Sequence, residues 1–227
     1  MNRWLIAGSL ALVSTTALAA DQGTGFYLGA SGGNATYDIS KGDLDDISFA
    51  AFADNGAIPL NPTSTFDDSD TAWSLLAGYR FNPFIAVEAG YVDLGSTKYR
   101  SLGNVRIPGV GTFPSTVGID LSAKGPFVAA ALGAPLGPHF DVHTHLGGFF
   151  SKTQFDIGVG LGTFNGNETV SSNSADLFAG VGLGYRFSNT LAASLDFTRF
   201  KAVGDEDKTG EGDITSFRLG LQYTFAQ

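Results

Sequence analysis

Phe217-Arg218-Leu219-Gly220-Leu221-Gln222-Tyr223-Thr224-Phe225 decides the fold. Its odd positions are all apolar or aromatic, and its even positions are Arg, Gly, Gln and Thr. Successive side chains leave a strand on opposite faces, so a period of two marks an extended segment with one apolar side. Nine residues of that pattern match the length of a tilted strand crossing a bilayer.

The pattern recurs upstream. Trp73, Leu75, Ala77, Tyr79 and Phe81 alternate with Ser74, Leu76, Gly78 and Arg80, and Ile85, Val87, Ala89 and Tyr91 alternate with Ala86, Glu88 and Gly90. Phe140, Val142, Thr144 and Leu146 enclose Asp141, His143 and His145. Val181, Leu183, Tyr185 and Phe187 enclose Gly182, Gly184 and Arg186, and Leu191, Ala193, Leu195 and Phe197 enclose Ala192, Ser194 and Asp196. Shorter versions run over Phe26, Leu28 and Ala30 and over Val128, Ala130 and Leu132, which brings the expected strands to eight.

Tight turns are expected at Phe81-Asn82-Pro83, Leu136-Gly137-Pro138 and Ser188-Asn189-Thr190. Long polar or acidic loops are expected over 38–70, 98–116, 155–174 and 200–213, with any structure inside 47–52 left open. This alternation of short and long connections predicts an all-β fold, an eight-stranded antiparallel up-and-down transmembrane β-barrel. A soluble β-sandwich would carry abundant charge on its solvent faces. Here the polar faces are mostly Gly, Ser, Ala and Thr, which suit a narrow closed lumen.

Composition agrees. Only 15% of the 227 residues are charged, against about one quarter in ordinary soluble domains. With 13 Lys+Arg against 22 Asp+Glu there is no electrostatic footprint for nucleic acid. The absence of Cys excludes a disulfide scaffold and thiolate chemistry. Residues 1–19 combine Arg3, an apolar stretch and Ala17-Leu18-Ala19, the pattern of a cleaved secretory signal, which leaves 20–227 as the barrel domain. Beyond them no apolar run is long enough for a membrane-spanning helix.

The chain resembles the OmpA-like and OmpX-like family of eight-stranded outer-membrane barrels. The resemblance rests on Ala77 to Phe84 with Glu88-Ala89-Gly90-Tyr91, on His145-Leu146-Gly147-Gly148 and on Phe178-Ala179-Gly180. Arg218, Gly220, Tyr223 and Phe225 match the family's terminal assembly signal, although Ala226 and Gln227 follow where the family usually ends on the aromatic residue. The resemblance implies the cell outer membrane of a Gram-negative bacterium, export past periplasmic chaperones and recognition by the outer-membrane assembly machinery. It implies outer-membrane lipids and lipopolysaccharide as surroundings; as a second departure from the family, no peptidoglycan-binding domain is expected after the barrel.

Alternation points Arg80, Arg186 and Arg218 into the lumen with Glu88, Asp141 and Asp196. An Arg facing lipid would cost roughly 2–4 kcal/mol near the midplane. Asp196 and Arg218 are expected to pair across adjacent strands, as part of a salt-bridged plug. Glu88 corresponds to an acidic member of the family's mid-lumen charge cluster, but Ala131, Gly184 and Ser194 stand at its other positions, so that gate does not carry over intact. His139, His143 and His145 share one face. A His-x-His pair on a strand can chelate Zn²⁺ if a carboxylate completes the site; the plainer expectation is no metal and no cofactor, with His143 and His145 as hydrogen-bonded lumen residues. No histidine lies at the outer end, which argues against a lipid-modifying enzyme. The expected role is structural and surface-presenting, with acidic outer loops available to an unknown surface ligand and Lys98, Arg100, Arg106 and Lys124 near lipopolysaccharide. The alternatives are a low-conductance pore for small solutes or ions and, further off, an outer-membrane enzyme.

Overall fold

The computed structural model describes residues 24–205 and 208–225; the expected signal segment 1–19 and the final Ala226-Gln227 lie outside them. The strands are β1 (Gly25–Tyr37), β2 (Ile58–Asp67), β3 (Ser69–Asn82), β4 (Ile85–Ile107), β5 (Gly111–Leu136), β6 (Phe140–Leu161), β7 (Phe164–Arg186), β8 (Leu191–Asp205) and β9 (Gly210–Thr224). One helix, α1 (Lys41–Asp54), lies between β1 and β2. From β3 to β9 each strand pairs antiparallel with the next, and β1 closes the ring by pairing with both β3 and β9. β2 continues the line of β3 along the outer half of β4. Eight strands therefore close the barrel, as the alternation predicts.

The short turns form for local reasons. Asn82 Oδ1 accepts the N–H groups of Phe84 (2.8 Å) and Ile85 (2.9 Å), and Ser188 Oγ accepts those of Thr190 (3.3 Å) and Leu191 (3.1 Å). Side-chain oxygens thus satisfy backbone donors that the ladders leave unpaired.

Three expected loops are instead regular structure. Residues 98–116 and 155–174 belong largely to two tall hairpins, β4–β5 and β6–β7, whose register runs from Ser96↔Ser122 to Ile107↔Gly111 and from Phe140↔Tyr185 to Leu161↔Phe164. Continued pairing satisfies the backbone there, and an inward row of Val117 and Ile119 keeps one face apolar. In 38–70, Ser40 caps α1 by accepting the Asp43 N–H at 3.1 Å, and Asn55 closes it through Nδ2 to the Ala51 carbonyl at 2.8 Å. The helix buries Leu44 among Tyr99, Val117 and Ile119. Its Asp45 accepts hydrogen bonds from Lys41 (2.7 Å), Ser64 (2.6 Å) and Tyr99 (2.6 Å), which tie α1 to β2 and β4. Burial is the largest single effect on the Asp45 carboxyl and raises it, but the three bonds together with the Lys41 charge outweigh it and hold the group below its ordinary range.

Outside, the barrel is apolar at alternate positions: Phe26, Leu75, Val87, Val128, Leu146, Val181, Leu195 and Leu219 all point outward and exposed. Aromatic pairs cluster toward the short-turn end, with ring centroids at 4.8 Å for Phe26–Tyr79, 5.0 Å for Phe140–Tyr185 and 5.3 Å for Tyr223–Phe225. Such rings form the interfacial girdle of a membrane barrel.

Above the apolar band, Asp213 on β9 joins the outer ends of β8 and β9. It accepts from Lys201 at 2.5 Å, the Ala202 N–H at 3.0 Å and Arg199 Nη2 at 2.8 Å. Led by the Lys201 bond, these partners hold its carboxyl well below the usual range. A depressed carboxylate contributes its stability in full above the unfolded value, about 3.9, and loses it as pH falls through the folded one. Asp213→Asn is therefore expected to lower amide-exchange protection at Ala202 and Val203 at neutral pH. The parent should approach the variant only in strong acid; equal protection at pH 7 would disprove the link.

Candidate functional site

The lumen has two storeys. The outer one is an ordinary apolar core turned inside a barrel. Phe127, Phe149, Phe178 and Phe200 meet there with Ala35, Tyr37, Val92, Leu94 and Ile214, all buried. The rings pack edge to face or tilted, with centroids 5.8 Å apart for Phe127–Phe178, 5.1 Å for Phe149–Phe200 and 5.3 Å for Phe178–Phe200. Glycines make room for them. A Cβ on Gly90 would run into the Phe127 ring at 2.8 Å, and one on Gly147 into Phe178 at 2.7 Å.

The inner storey is polar and lies toward the short turns. A cavity of about 130 Å³ is lined by Tyr27, Glu88, His143, His145, Asp196 and Arg218, with Pro83, Phe84, Asn189 and Thr190 at its mouth. β6 contributes Asp141, His143 and His145 at alternate positions of one strand, so all three point inward. In register, Gly182 on β7 stands between His143 on β6 and Asp196 on β8. With Gly180 and Gly184 beside it, β7 offers no side chain to this row. His143 therefore reaches across a whole strand, and its Nε2 meets Asp196 Oδ1 at 2.8 Å. A Cβ on Gly182 would overlap both partners.

The bonds continue around the ring. His143 Nδ1 faces Asp141 Oδ1 at 3.1 Å, and His145 Nδ1 faces Glu88 Oε2 at 2.9 Å. Tyr27 donates to Glu88 Oε1 at 2.6 Å, and Ser194 to Asp196 Oδ2 at 2.6 Å. His145 Nε2 lies 3.8 Å from Asp196 Oδ1. All three carboxylates are thus engaged by groups other than arginine.

The expected arginine pairing is corrected by this arrangement. Asp196 and Arg218 do stand opposite in register, yet Arg218 Nη2 donates to Thr198 Oγ1 at 3.3 Å while Asp196 turns to His143 and Ser194. The glycines of β7 give the imidazole the straighter approach to Asp196. Arg80 lies 5.3 Å from the centre of the Tyr27 ring. Arg186 lines the cavity, and its carbonyl lies 3.1 Å from His139 Nδ1 at the turn, which leaves His139 outside the cluster. Of the assembly-signal residues, Gly220 faces Ser194 in the lumen, whereas Tyr223 and Phe225 join the aromatic girdle.

Tyr27 is the participant that sequence reading missed. Its signal was present, because it alternates with Phe26 and Leu28 and so must face inward. Ser194 donates to a carboxylate, and both nitrogens of His143 face carboxylates, so these two do not form a nucleophile–base pair. Among the four basic residues flanking the second outer segment, Arg100 is held by Asp120 through two bonds of 2.8 and 2.9 Å.

Comparisons with known proteins agree with this architecture. A family model described as the OmpA-like transmembrane domain matches residues 21–227. Outer membrane protein A of Shigella flexneri is 29% identical over 225 residues, covering 98% of this chain and 55% of that protein. Outer membrane protein A of Serratia marcescens is 28% identical over 223 residues, again covering 98% and 55%. The chain spans about half the length of these curated relatives. Among solved structures, the outer membrane protein OprG from Pseudomonas aeruginosa is similar with a TM-score of 0.45 and 16% identity, over 91% of this chain and all of that one.

Proposed function

Since the chain belongs to the family of OmpA-like transmembrane domains and is an outer-membrane β-barrel, we propose that it acts as a closed, surface-presenting barrel rather than as a channel or an enzyme. One observation carries this reading: the packed layer of Phe127, Phe149, Phe178 and Phe200 fills the lumen above the polar cavity. An eight-stranded barrel is only wide enough to be filled by side chains, and here those side chains are large rings. The cavity stops beneath them.

The tall hairpins β4–β5 and β6–β7, with α1 packed on the former, extend the sheet beyond the apolar band. They offer a rigid platform to a surface ligand or to the cell's surroundings. Lipids would cover the apolar outer face, and Lys98, Arg106 and Lys124 would meet lipopolysaccharide phosphates near the rim. The final strand, with Tyr223 and Phe225 outward, is what the assembly machinery would engage after delivery by periplasmic chaperones.

Purified protein in planar lipid bilayers is expected to give no stable channel, and external protease on whole cells should cut within 38–70 or 200–213 while sparing the short turns. A reproducible open channel would overturn the closed-barrel reading, and external cutting at Asn82 or Asn189 would invert the topology.

A further inference from the structure

We propose that the inner lumen binds one divalent transition metal of the Zn²⁺ class, through His143 Nε2, His145 Nε2 and Asp196 Oδ1. Three features of the geometry point there together. The first is convergence. One imidazole nitrogen lies 2.8 Å from Asp196 Oδ1 and the other 3.8 Å from the same oxygen; the three residues offer ligand atoms within 4.8 Å of one another. Around a tetrahedral Zn²⁺ with bonds of about 2.0–2.2 Å, ligand atoms stand roughly 3.3 Å apart. Only small side-chain rotations separate the two arrangements.

The second feature is how the far side of each ring is held. A metal-bound histidine characteristically gives its other N–H to a carboxylate, which fixes the tautomer and turns the free nitrogen toward the ion. Here His143 Nδ1 meets Asp141 at 3.1 Å and His145 Nδ1 meets Glu88 at 2.9 Å, with Glu88 in turn fixed by Tyr27. Two such triads on alternate residues of one strand aim both Nε2 atoms at one carboxylate.

The third feature is space and access. Gly180 and Gly182 keep β7 bare between β6 and β8, and the cavity of about 130 Å³ leads from the site to the short-turn mouth. Short turns face the periplasm in such barrels, so the ion would enter from that side, and a water molecule from the cavity would fill the fourth position. The carboxylate is a hard ligand that any of these cations accepts, but the two imidazoles are borderline ligands, and they favour Zn²⁺ over Mg²⁺ or Ca²⁺.

Untagged protein folded in detergent, titrated with ZnCl₂ by isothermal calorimetry and checked by metal analysis after dialysis, should bind one Zn²⁺ per chain. Excess Mg²⁺ should not displace it. Co²⁺ should give the intense visible bands of a four-coordinate site. His143→Ala/His145→Ala should abolish stoichiometric uptake, and Asp196→Asn, which keeps the carboxylate's shape, should weaken it in a barrel that circular dichroism shows to be folded. Glu88→Gln and Asp141→Asn should weaken binding about 10- to 100-fold without changing the stoichiometry. Asp67→Asn/Asp68→Asn, on the exposed outer segment, should leave it intact. The proposal is overturned if the parent protein takes up no Zn²⁺, if folded His143→Ala/His145→Ala still binds one equivalent, or if the outer-segment change removes binding.

Discussion

Phe200→Ala is expected to lower the stability of the barrel by about 3–5 kcal/mol, the usual cost of emptying a large aromatic site in a packed interior. Phe200 is only 2% exposed. It touches Phe149 and Phe178, with centroids at 5.1 and 5.3 Å, and stands directly opposite Phe178 in the β7–β8 register. Its neighbours are held by ladders on both sides, so the ring's place cannot collapse and the residual void adds to the lost burial. Urea-induced unfolding in lipid vesicles, followed by tryptophan fluorescence, measures the effect as a drop in midpoint. A loss under about 1 kcal/mol would mean that the outer lumen is not a packed core, and would reopen the question of conduction.

The second large effect separates two adjacent glycines. Gly147 faces the lumen and Gly148 the lipid. A Cβ on Gly147 would be driven into the Val128 carbonyl of β5 and the Phe178 ring at 2.7 Å, whereas a Cβ on Gly148 would meet nothing within 4 Å. The carbonyl belongs to the ladder and cannot yield without moving the strand. Gly147→Ala is therefore expected to destabilise by about 1–3 kcal/mol, the range for overpacking a filled interior. Gly148→Ala should change stability by no more than about 0.5 kcal/mol. The same urea titration checks both, and equal effects would contradict the inward and outward assignment of β6.

Much of this was legible in the chain. The alternation from Phe217 to Phe225 and its upstream copies identify the strands, the lipid face and the inward direction of Arg80, Glu88, Asp141, Arg186, Asp196 and Arg218. The short turns are readable because Asn82, Gly137 and Ser188 act within three or four residues of chain. Helix α1 was harder to see, since KGDLDDISFAAFAD carries no apolar stripe at helical spacing; only Ser40 and Asp43, three apart, announce its start. The β4–β5 hairpin was hidden for another reason. The bulge between Asp93 and Ser96, with Gly95 at φ +70°, shifts the inward parity of β4 by one residue, so alternation read from below breaks there.

By itself, the sequence determined the number of strands that close the barrel, the side of each that meets lipid and the set of polar groups sent inward. These follow from a period of two, which each residue in the regular part of a strand obeys with respect to its own neighbours. Partnership inside the lumen was decided only by the closed ring. Four phenylalanines from β5, β6, β7 and β8 form one layer, and His143 takes Asp196 from Arg218, because register sets their heights and the glycines of β7 leave an open path between β6 and β8. Which inward groups touch depends on cross-strand distance, and that distance exists only once β1 has met both β3 and β9.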